Sequence, residues 1–322
     1  MITVAERFRG ALWGSVVGDA LGVPVEFRSR EELDANPVKD MREFGSHNQP
    51  LGTWSDDTSM LLGTVDSLIQ GWDLTDMARR FLSWRYEAAY TPHGVVFDIG
   101  GTTKAALDQF ASTNNVNAGL NTEASNGNGS LMRILPLALQ FASNPLEDIK
   151  TRVEAVSAIT HSHSRSKMAC VLYVLLVRYL MQGLPKQDAV KKACSDFECL
   201  YHNQPELVHF QRITRGQLLS LRRTEIQSTG YVIHTLEASL WSLLISIDFR
   251  SCVLQAVNLG LDTDTTGCVA GGLAGACFGI GDIPNKWITQ LVKQKDLAQL
   301  FKTFERNCLG NSSSWLNRLG MR

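Results

Sequence analysis

The chain has 322 residues, of which 44% are hydrophobic and 20% charged, and its formal net charge is −1. This composition is that of a globular protein with a substantial core, and it lacks the basic excess typical of nucleic-acid-binding proteins. The seven cysteines show no C-x-x-C spacing and the N-terminus does not resemble a signal peptide, so we expect reduced thiols and a cytoplasmic location. The longest apolar stretch, Met168 to Leu180, contains Arg178 and is too short to span a bilayer. Neither nucleic acid nor a membrane is an expected partner.

Helical periodicity dominates the chain, and strand-like alternation is nearly absent. Apolar residues recur at every fourth position in Phe8, Leu12 and Val16, and the same spacing begins again at Leu61. Further helices are predicted over residues 74–88, 101–112, 129–143, 147–160, 165–183, 186–197, 231–247, 250–259, 265–279 and 285–308. Prolines lie mostly between these runs, whereas Pro136 should start or kink a helix. We therefore predict an all-α protein.

A polar loop is predicted from Ser112 to Ser130. Loops of this length in compact domains are usually functional or disordered. Gly127 and Gly129 would precede a helix that carries Met132 and Arg133. A glycine-rich turn before a helix N-terminus suits an anion such as phosphate, so the loop is a candidate backbone cradle.

Two acidic clusters carry most of the chemical information. One spans Trp54 to Thr58 and the other Leu261 to Gly267, and each contains two aspartates beside hydroxyl groups. Carboxylate and hydroxyl oxygens are ligands that Mg²⁺ and Mn²⁺ prefer. Neither cluster alone supplies enough oxygens for two divalent ions, but four carboxylates together do. We therefore predict one two-metal site, closed by a loop of about 200 residues, and a single domain.

Two further loop types that contain a D-x-D sequence fit the second cluster less well. In an EF-hand loop Asp262, Asp264 and Gly267 would take the first, third and sixth positions, but Leu273 would stand where a bidentate glutamate is needed. In a phosphotransferase loop Asp262 would be the nucleophile and Thr266 would bind phosphate. Such a loop normally ends a buried strand near the N-terminus, whereas this one lies near the end of the chain.

Asp56 and Asp57 could also serve a purely structural role, because carboxylates are favoured at a helix N-terminus and the run from Thr58 is helical. Capping and metal binding are compatible, since both point the carboxylates out of the same helix end. His161 and His163 lie two residues apart at a helix boundary and would not share a helical face. They are not predicted as metal ligands.

Together these motifs resemble the ADP-ribosylglycohydrolase family, the group that includes the dinitrogenase-reductase-activating glycohydrolase. The motifs, in chain order, are Gly14–Phe27, Gly52–Met60, Phe97–Thr103, Asn128–Arg133, Thr160–His161 and Gly260–Gly267. The resemblance covers nearly the whole chain. It implies an all-α orthogonal helical bundle, formed as one domain by residues 1–322, with a central cleft that holds two divalent cations, Mg²⁺ or Mn²⁺.

The resemblance also implies roles for individual residues. The metal ligands would be Ser55, Asp56, Asp57, Asp262, Asp264 and Thr265. Ser55 stands where many members have threonine, which offers the same hydroxyl oxygen. The catalytic residues would be Glu26, Asp57, Asp98 and Asp264, with Glu26 on a mobile acidic loop and Asp98 near the scissile ribose in arginine-directed members. The substrate-binding residues would be Ser125, Asn126, Gly127, Asn128 and Gly129 at the pyrophosphate, Met132, and His161 near the adenosine.

The activity implied is removal of ADP-ribose from a modified protein side chain, and the Asp98 motif favours arginine as that side chain. Carboxylates on either face of the ribose assist an oxocarbenium-like transition state, and two metal ions can orient hydroxyls and activate water. Serine-linked and O-acetyl-ADP-ribose substrates stay open. So does a non-catalytic ADP-ribose reader, although a reader would not need four metal-site aspartates. Expected partners are an ADP-ribosylated protein, ADP-ribose as product, and a cognate ADP-ribosyltransferase or its target.

Overall fold

The computed structural model describes residues 2–310, and within this range the protein consists of α-helices and short 3-10 turns, without a named β-strand. The helices are α1 Val4–Gly22, α2 Arg30–Ala35, α3 Asp56–Gln70, α4 Leu74–Glu87, α5 Gly101–Thr113, α6 Leu135–Phe141, α7 Leu146–Ala158, α8 Ser164–Met181, α9 Lys186–Leu200, α10 Gln211–Thr214, α11 Val232–Ile245, α12 Phe249–Val257, α13 Thr263–Phe278, α14 Asn285–Gln290 and α15 Gln294–Leu309. The prediction of an all-α fold is confirmed. Residue 1 and residues 311–322 lie outside the described range, so the domain extent of 1–322 stays a prediction.

Helices α1 and α13 run antiparallel at the centre of the bundle, and their backbones touch. Every fourth residue on one face of α1 is glycine, from Gly10 to Gly22. A Cβ atom added to Gly10, Gly14 or Gly18 would overlap a backbone carbonyl oxygen of α13, and one added to Gly22 would overlap the backbone of Asp264. Only glycine permits this approach. It places the end of α1 directly beside the start of α13.

The longest apolar stretch of the sequence lies in the core. Residues 168–177 of α8 are all buried, and the α8 residue Tyr173 donates from its hydroxyl to the Val269 carbonyl oxygen of α13 at 3.3 Å. Among the helices in the described range, none is long and apolar enough to cross a membrane.

Two predicted helices differ from the structure. Residues 129–133 form turns, and α6 begins only at Leu135, so Met132 and Arg133 lie in turns and not in a helix. Pro136 lies in the first turn of α6, where a missing N–H costs nothing, which confirms that it starts a helix. The predicted helix over 285–308 is divided into α14 and α15, because the chain turns at Val292, whose N–H donates to the Gly52 carbonyl oxygen.

Replacing Gly18 with alanine should strongly destabilise the fold. The added methyl group would meet the backbone of Gly267, which cannot move aside as a flexible side chain can. We expect a loss of about 3 kcal/mol or more in the free energy of unfolding, at the upper end of the range for overpacked cores. Urea unfolding followed by circular dichroism measures this loss. Gly281→Ala is the matched control, because a Cβ atom there meets nothing within 4 Å. Equal stability of Gly18→Ala and wild type would contradict the tight contact.

Candidate active site

Residues from both acidic clusters meet beside the contact of α1 with α13. Asp57 from the first turn of α3, Asp264 from the first turn of α13 and Asp19 from α1 bring carboxylate oxygens within 4.8 Å of one another. The Thr265 hydroxyl donates to Asp57 Oδ2 at 3.3 Å, which links the two clusters directly. A second set of oxygens within 4.8 Å comes from Asp264, Asp262 and Glu26. The two acidic clusters, which are about 200 residues apart in the chain, therefore lie together as the sequence predicts.

The residues that cap α3 also belong to the acidic cluster. The N-cap is Ser55, whose Oγ accepts from the Asp57 N–H at 3.2 Å and donates to Asp57 Oδ2 at 3.0 Å. Asp56 and Asp57 occupy the first turn, where the helix dipole favours negative charge. The cap hydroxyl thus orients the Asp57 carboxylate instead of competing with it.

Three aspartates of the clusters keep a buried oxygen without a partner. Asp57 Oδ1, Asp262 Oδ1 and Asp264 Oδ2 have no hydrogen-bond donor among the described residues. Burial, reinforced by neighbouring carboxylates, raises the pKa of Asp56, Asp57 and Asp264 well above the usual aspartate value. Orphaned buried carboxylate oxygens are costly, and a divalent cation supplies both the missing partner and the missing positive charge. This all-oxygen donor set fits Mg²⁺ or Mn²⁺.

The sequence analysis missed Asp19. Its side chain is completely buried and accepts from the N–H groups of Ser55 and Thr58, each at 3.0 Å, and from the Thr58 hydroxyl at 2.6 Å. Burial raises the pKa of Asp19 to about 6, although these donors lower it. Asp19 therefore fastens the N-terminus of α3 to α1. An aspartate between Gly18 and Ala20, in an otherwise apolar helical run, is the signal that points to it.

A cavity of about 270 Å³ opens beside the acidic cluster. The residues with predicted site roles that line it are Glu26, Asp56, Asp98, Gly127, Asn128, Gly129, Met132, His161, Asp262 and Thr265. Ser55, Asp57, Ser125, Asn126 and Asp264 are buried outside this lining. The predicted metal ligands and most of the predicted ligand-binding residues therefore belong to one continuous region.

The glycine-rich loop forms one wall of the cavity. The Asn128 N–H donates to the Gly230 carbonyl oxygen at 3.0 Å. A Cβ atom on Gly129 would lie 2.8 Å from Thr103 Oγ1 and 2.9 Å from His161 Cε1. Glycine is therefore required at 129 for the loop to pack between these two side chains. The loop precedes a turn and not a helix, so the predicted helix N-terminus behind the cradle is wrong.

Ser125 and Asn126 support the loop from behind. The Ser125 and Thr122 hydroxyl oxygens lie 2.7 Å apart in a hydrogen bond. The Asn126 side chain donates to the Glu123 carbonyl oxygen at 3.0 Å and accepts from the Ser166 hydroxyl at 3.1 Å. Because both side chains already have protein partners, their contribution to the cavity is to hold the backbone of the loop in place.

The rim of the cavity carries a third acidic group. Glu26, His47 and Asp98 each place one ligand-type atom within 4.8 Å of the other two. His47 Nε2 is hydrogen-bonded to Glu26 Oε2, and the imidazole lies between the rings of Phe27 and Phe97 at centroid distances of 5.6 and 5.2 Å. Burial raises the pKa of Glu26 to about 8, and the hydrogen bond with Glu26 raises the pKa of His47. His47 is a second residue that the sequence analysis missed.

Asp98 is not a helix cap. The N-cap of α5 is Gly100, and Asp98 lies two residues earlier with a φ of 55° in the left-handed region. That conformation is uncommon for a residue other than glycine, and such residues often mark functional sites. Its side chain lines the cavity beside Glu26 and has no hydrogen-bond partner among the described residues.

Comparison with known proteins decides the family. The sequence profile described as ADP-ribosylglycohydrolase matches residues 1–313. The chain belongs to the ADP-ribosylglycohydrolase family. This confirms the resemblance inferred from the motifs, and a glycohydrolase family supports a hydrolase activity.

Relatives of this chain include two bacterial proteins named as hydrolases of ADP-ribosylated targets. It is 31% identical over 297 residues to the ADP-ribosylarginine hydrolase Tri1 of Serratia proteamaculans, covering 92% of this chain and 78% of that protein. It is also 31% identical over 300 residues to the ADP-ribosyl-[dinitrogen reductase] glycohydrolase of Rhodospirillum rubrum, covering 90% of this chain and 91% of that protein. A solved structure titled ADP-ribosylglycohydrolase-related protein complex matches with a TM-score of 0.81 and 32% identity, over 95% of this chain and 99% of that one.

Without added metal, the free energy of unfolding should fall as the pH rises from about 5 to about 8. In the folded protein the buried carboxyls retain protons that unfolded carboxyls, with a pKa of about 4, have already lost. Stability therefore decreases as those protons dissociate. Urea unfolding in EDTA across this range measures the slope. Asp57→Asn should show a shallower slope than wild type, and identical slopes would show that Asp57 carries no such proton.

Proposed function

We propose that the protein is a metal-dependent hydrolase that removes ADP-ribose from modified protein side chains, with ADP-ribosyl-arginine as its substrate. The observation that carries this proposal is the set of unpartnered buried oxygens on Asp57, Asp262 and Asp264 beside an open cavity, in a chain of the ADP-ribosylglycohydrolase family. Two divalent cations, Mg²⁺ or Mn²⁺, would be held by Ser55, Asp56, Asp57, Asp262, Asp264 and Thr265.

When bound, the cations would orient the ribose hydroxyls and lower the pKa of an attacking water. Asp57 and Asp264, whose carboxylate oxygens lie within 4.8 Å of each other, are the candidate acceptors of a proton from that water in addition to their role as ligands. Asp98 lies at the rim beside Glu26, where negative charge stabilises the positive ribose of an oxocarbenium-like transition state. Burial raises the pKa of Glu26 to about 8, so Glu26 would supply such a charge once a nearby cation lowers that pKa. The bond from ribose C1′ to the side-chain nitrogen breaks with its electrons going to that nitrogen, while a new bond forms from the water oxygen to C1′. The proton released by water goes to the departing guanidine nitrogen, so arginine leaves as its guanidinium cation.

The glycine-rich loop is assigned to the pyrophosphate. The three residues Gly127, Asn128 and Gly129 line the cavity, and the absence of side chains at the two glycines lets an anion approach the backbone. Ser125 and Asn126 act through this backbone, since their own side chains are occupied.

The preference for arginine is supported by the charge of the rim. Glu26 and Asp98 lie close together, and two carboxylates complement a guanidinium group, which is planar, always cationic and forms forked hydrogen bonds. The positive charge of a bound guanidinium would lower the raised pKa of Glu26 and favour its ionised form. A serine or acetyl leaving group carries no such charge. The relative named ADP-ribosylarginine hydrolase supports the same assignment.

The proposal is tested by incubating the protein with an arginine-ADP-ribosylated protein and Mg²⁺ or Mn²⁺, then measuring free ADP-ribose by chromatography. We expect release with metal and loss of release in EDTA. Substrates carrying serine-linked ADP-ribose and O-acetyl-ADP-ribose, tested in parallel, assign the linkage. Binding of ADP-ribose without release from any of these substrates would instead identify a non-catalytic reader.

Asp98→Asn should separate chemistry from ligand binding. The substitution keeps the size of the side chain and removes its charge, so turnover of ADP-ribosyl-arginine should fall by about 10²–10³-fold, as for other lost groups that stabilise transition-state charge. Calorimetry should show little change in ADP-ribose affinity, and elemental analysis little change in metal content, because Asp98 lies at the rim and is not one of the proposed metal ligands. Near-normal turnover would remove Asp98 from the mechanism and, with it, the main argument for arginine.

A further inference from the structure

His161 presents one face of its imidazole to the ligand cavity. The residue is 2% exposed, and its Nε2 lies 3.5 Å from where a Cβ atom of Gly127 would be and 3.4 Å from that of Gly129. The other ring nitrogen, Nδ1, lies 2.8 Å from the Thr160 hydroxyl oxygen. Whether Nε2 donates or accepts toward a ligand depends on which nitrogen carries the proton.

Arg133 decides the direction of the hydrogen bond between Thr160 and His161. Its Nη2 donates to Thr160 Oγ1 at 2.7 Å, and a guanidinium cannot accept in return. The Thr160 hydroxyl is completely buried and has no other acceptor among the described residues, so its single proton must go to His161 Nδ1. The imidazole is neutral, because burial lowers the pKa of His161 to about 3, with a smaller contribution from the positive charge of Arg133. A neutral ring that accepts at Nδ1 carries its proton at Nε2.

We propose that Arg133 and Thr160 are positioning residues that lock His161 as a permanent Nε2–H donor to an acceptor atom of the bound ligand. The inference rests on the proposed function only for the identity of that ligand, ADP-ribose. The acceptor is an oxygen of the pyrophosphate, because Nε2 lies against Gly127 and Gly129 of the glycine-rich loop. The resemblance implied a position near the adenosine for His161, and its contacts with this loop support the pyrophosphate instead.

The same guanidinium also holds the loop that His161 faces. Arg133 Nη1 donates to the Gly129 carbonyl oxygen at 2.6 Å, so one planar group sets both the ring and the loop. The Arg133 side chain is completely buried, with its guanidinium carbon 4.6 Å from the centre of the Phe81 ring. A lysine could not replace it, since an ammonium lacks the rigid fork that reaches both acceptors at once. The relay therefore runs from Arg133 through Thr160 to His161.

The tautomer is tested directly in the wild-type protein. Long-range proton–nitrogen correlation spectra of the ¹⁵N-labelled full chain report which imidazole nitrogen is protonated, and the signals of His161, one of seven histidines, are assigned by their loss in His161→Phe. We expect only the Nε2–H tautomer at about pH 6 and at about pH 8. A proton on Nδ1, or on both nitrogens, would overturn the relay. This measurement needs neither ADP-ribose nor activity.

Binding then tests whether the locked donor matters. Titration calorimetry of His161→Phe with ADP-ribose should show a dissociation constant about ten- to hundredfold higher than in wild type, as expected for one lost hydrogen bond to a charged acceptor. Thr160→Val keeps the shape of the side chain but removes the relay hydroxyl, so the single-tautomer spectrum should be lost and affinity should fall about tenfold.

Thr160→Ser is the matched control, because it retains the hydroxyl and should keep both the tautomer and the affinity. An unchanged tautomer and affinity in Thr160→Val would exclude Thr160 as a positioning residue. Absence of ADP-ribose binding by wild type would count against the proposed function, whereas the spectrum of wild type would still decide the relay. The two failures are therefore distinguishable.

Discussion

The backbone contact between α1 and α13 is the constraint on which the site depends. Helices ordinarily pack with their axes 8–10 Å apart because side chains stand between them. Here the glycines from Gly10 to Gly22 remove those side chains along four turns, and the two backbones meet. Because the helices are antiparallel, the last turn of α1 lies beside Asp264 in the first turn of α13. The acidic cluster is assembled at that point.

The chain that leaves α1 is tied to the chain that enters α13. The Phe27 N–H donates to the Leu261 carbonyl oxygen at 2.6 Å, and the Leu261 N–H donates to that of Arg28 at 2.7 Å. Both Phe27 and Leu261 have positive φ angles, which are unusual for bulky residues. This strained link holds Glu26 against the loop that carries Asp262. The conformational cost of these two positive φ angles is offset by the packing of α1 against α13.

The negative charge of the acidic cluster is partly offset by groups that do not touch it. Asp19, Asp57 and Asp264 are fully buried and close together, which disfavours their ionised forms. The N-termini of α3 and α13 both point toward this cluster, and their dipoles favour negative charge there. A bound cation would add far more, and ligand binding of this kind stabilises the folded state by mass action.

The sequence can predict that residues of one motif lie together, because each motif is local. Asp56 and Asp57 are adjacent in the chain, and a helix start alone is enough to bring them to the same helix end. Asp19, His47 and Arg133 could not be predicted this way, because their roles come from partners in other segments. A helical pattern also fails over 129–134, where turn hydrogen bonds and the contacts of Asn128 with distant residues override local propensity.

Asn128 connects the two halves of the site. Its amide nitrogen donates to Asp262 Oδ2 and to Thr235 Oγ1, each at 2.8 Å, while its backbone belongs to the glycine-rich loop. The two carboxylate oxygens of Asp262 therefore differ, because Oδ2 accepts a hydrogen bond from the loop and Oδ1 has no partner among the described residues. A cation held by Oδ1 would fix the orientation of this carboxylate, and Asn128 would transmit that orientation to the wall of the cavity. The acidic cluster and the glycine-rich loop thus share one hydrogen-bonded unit, formed by residues 134 positions apart in the chain, so the position of each depends on the other.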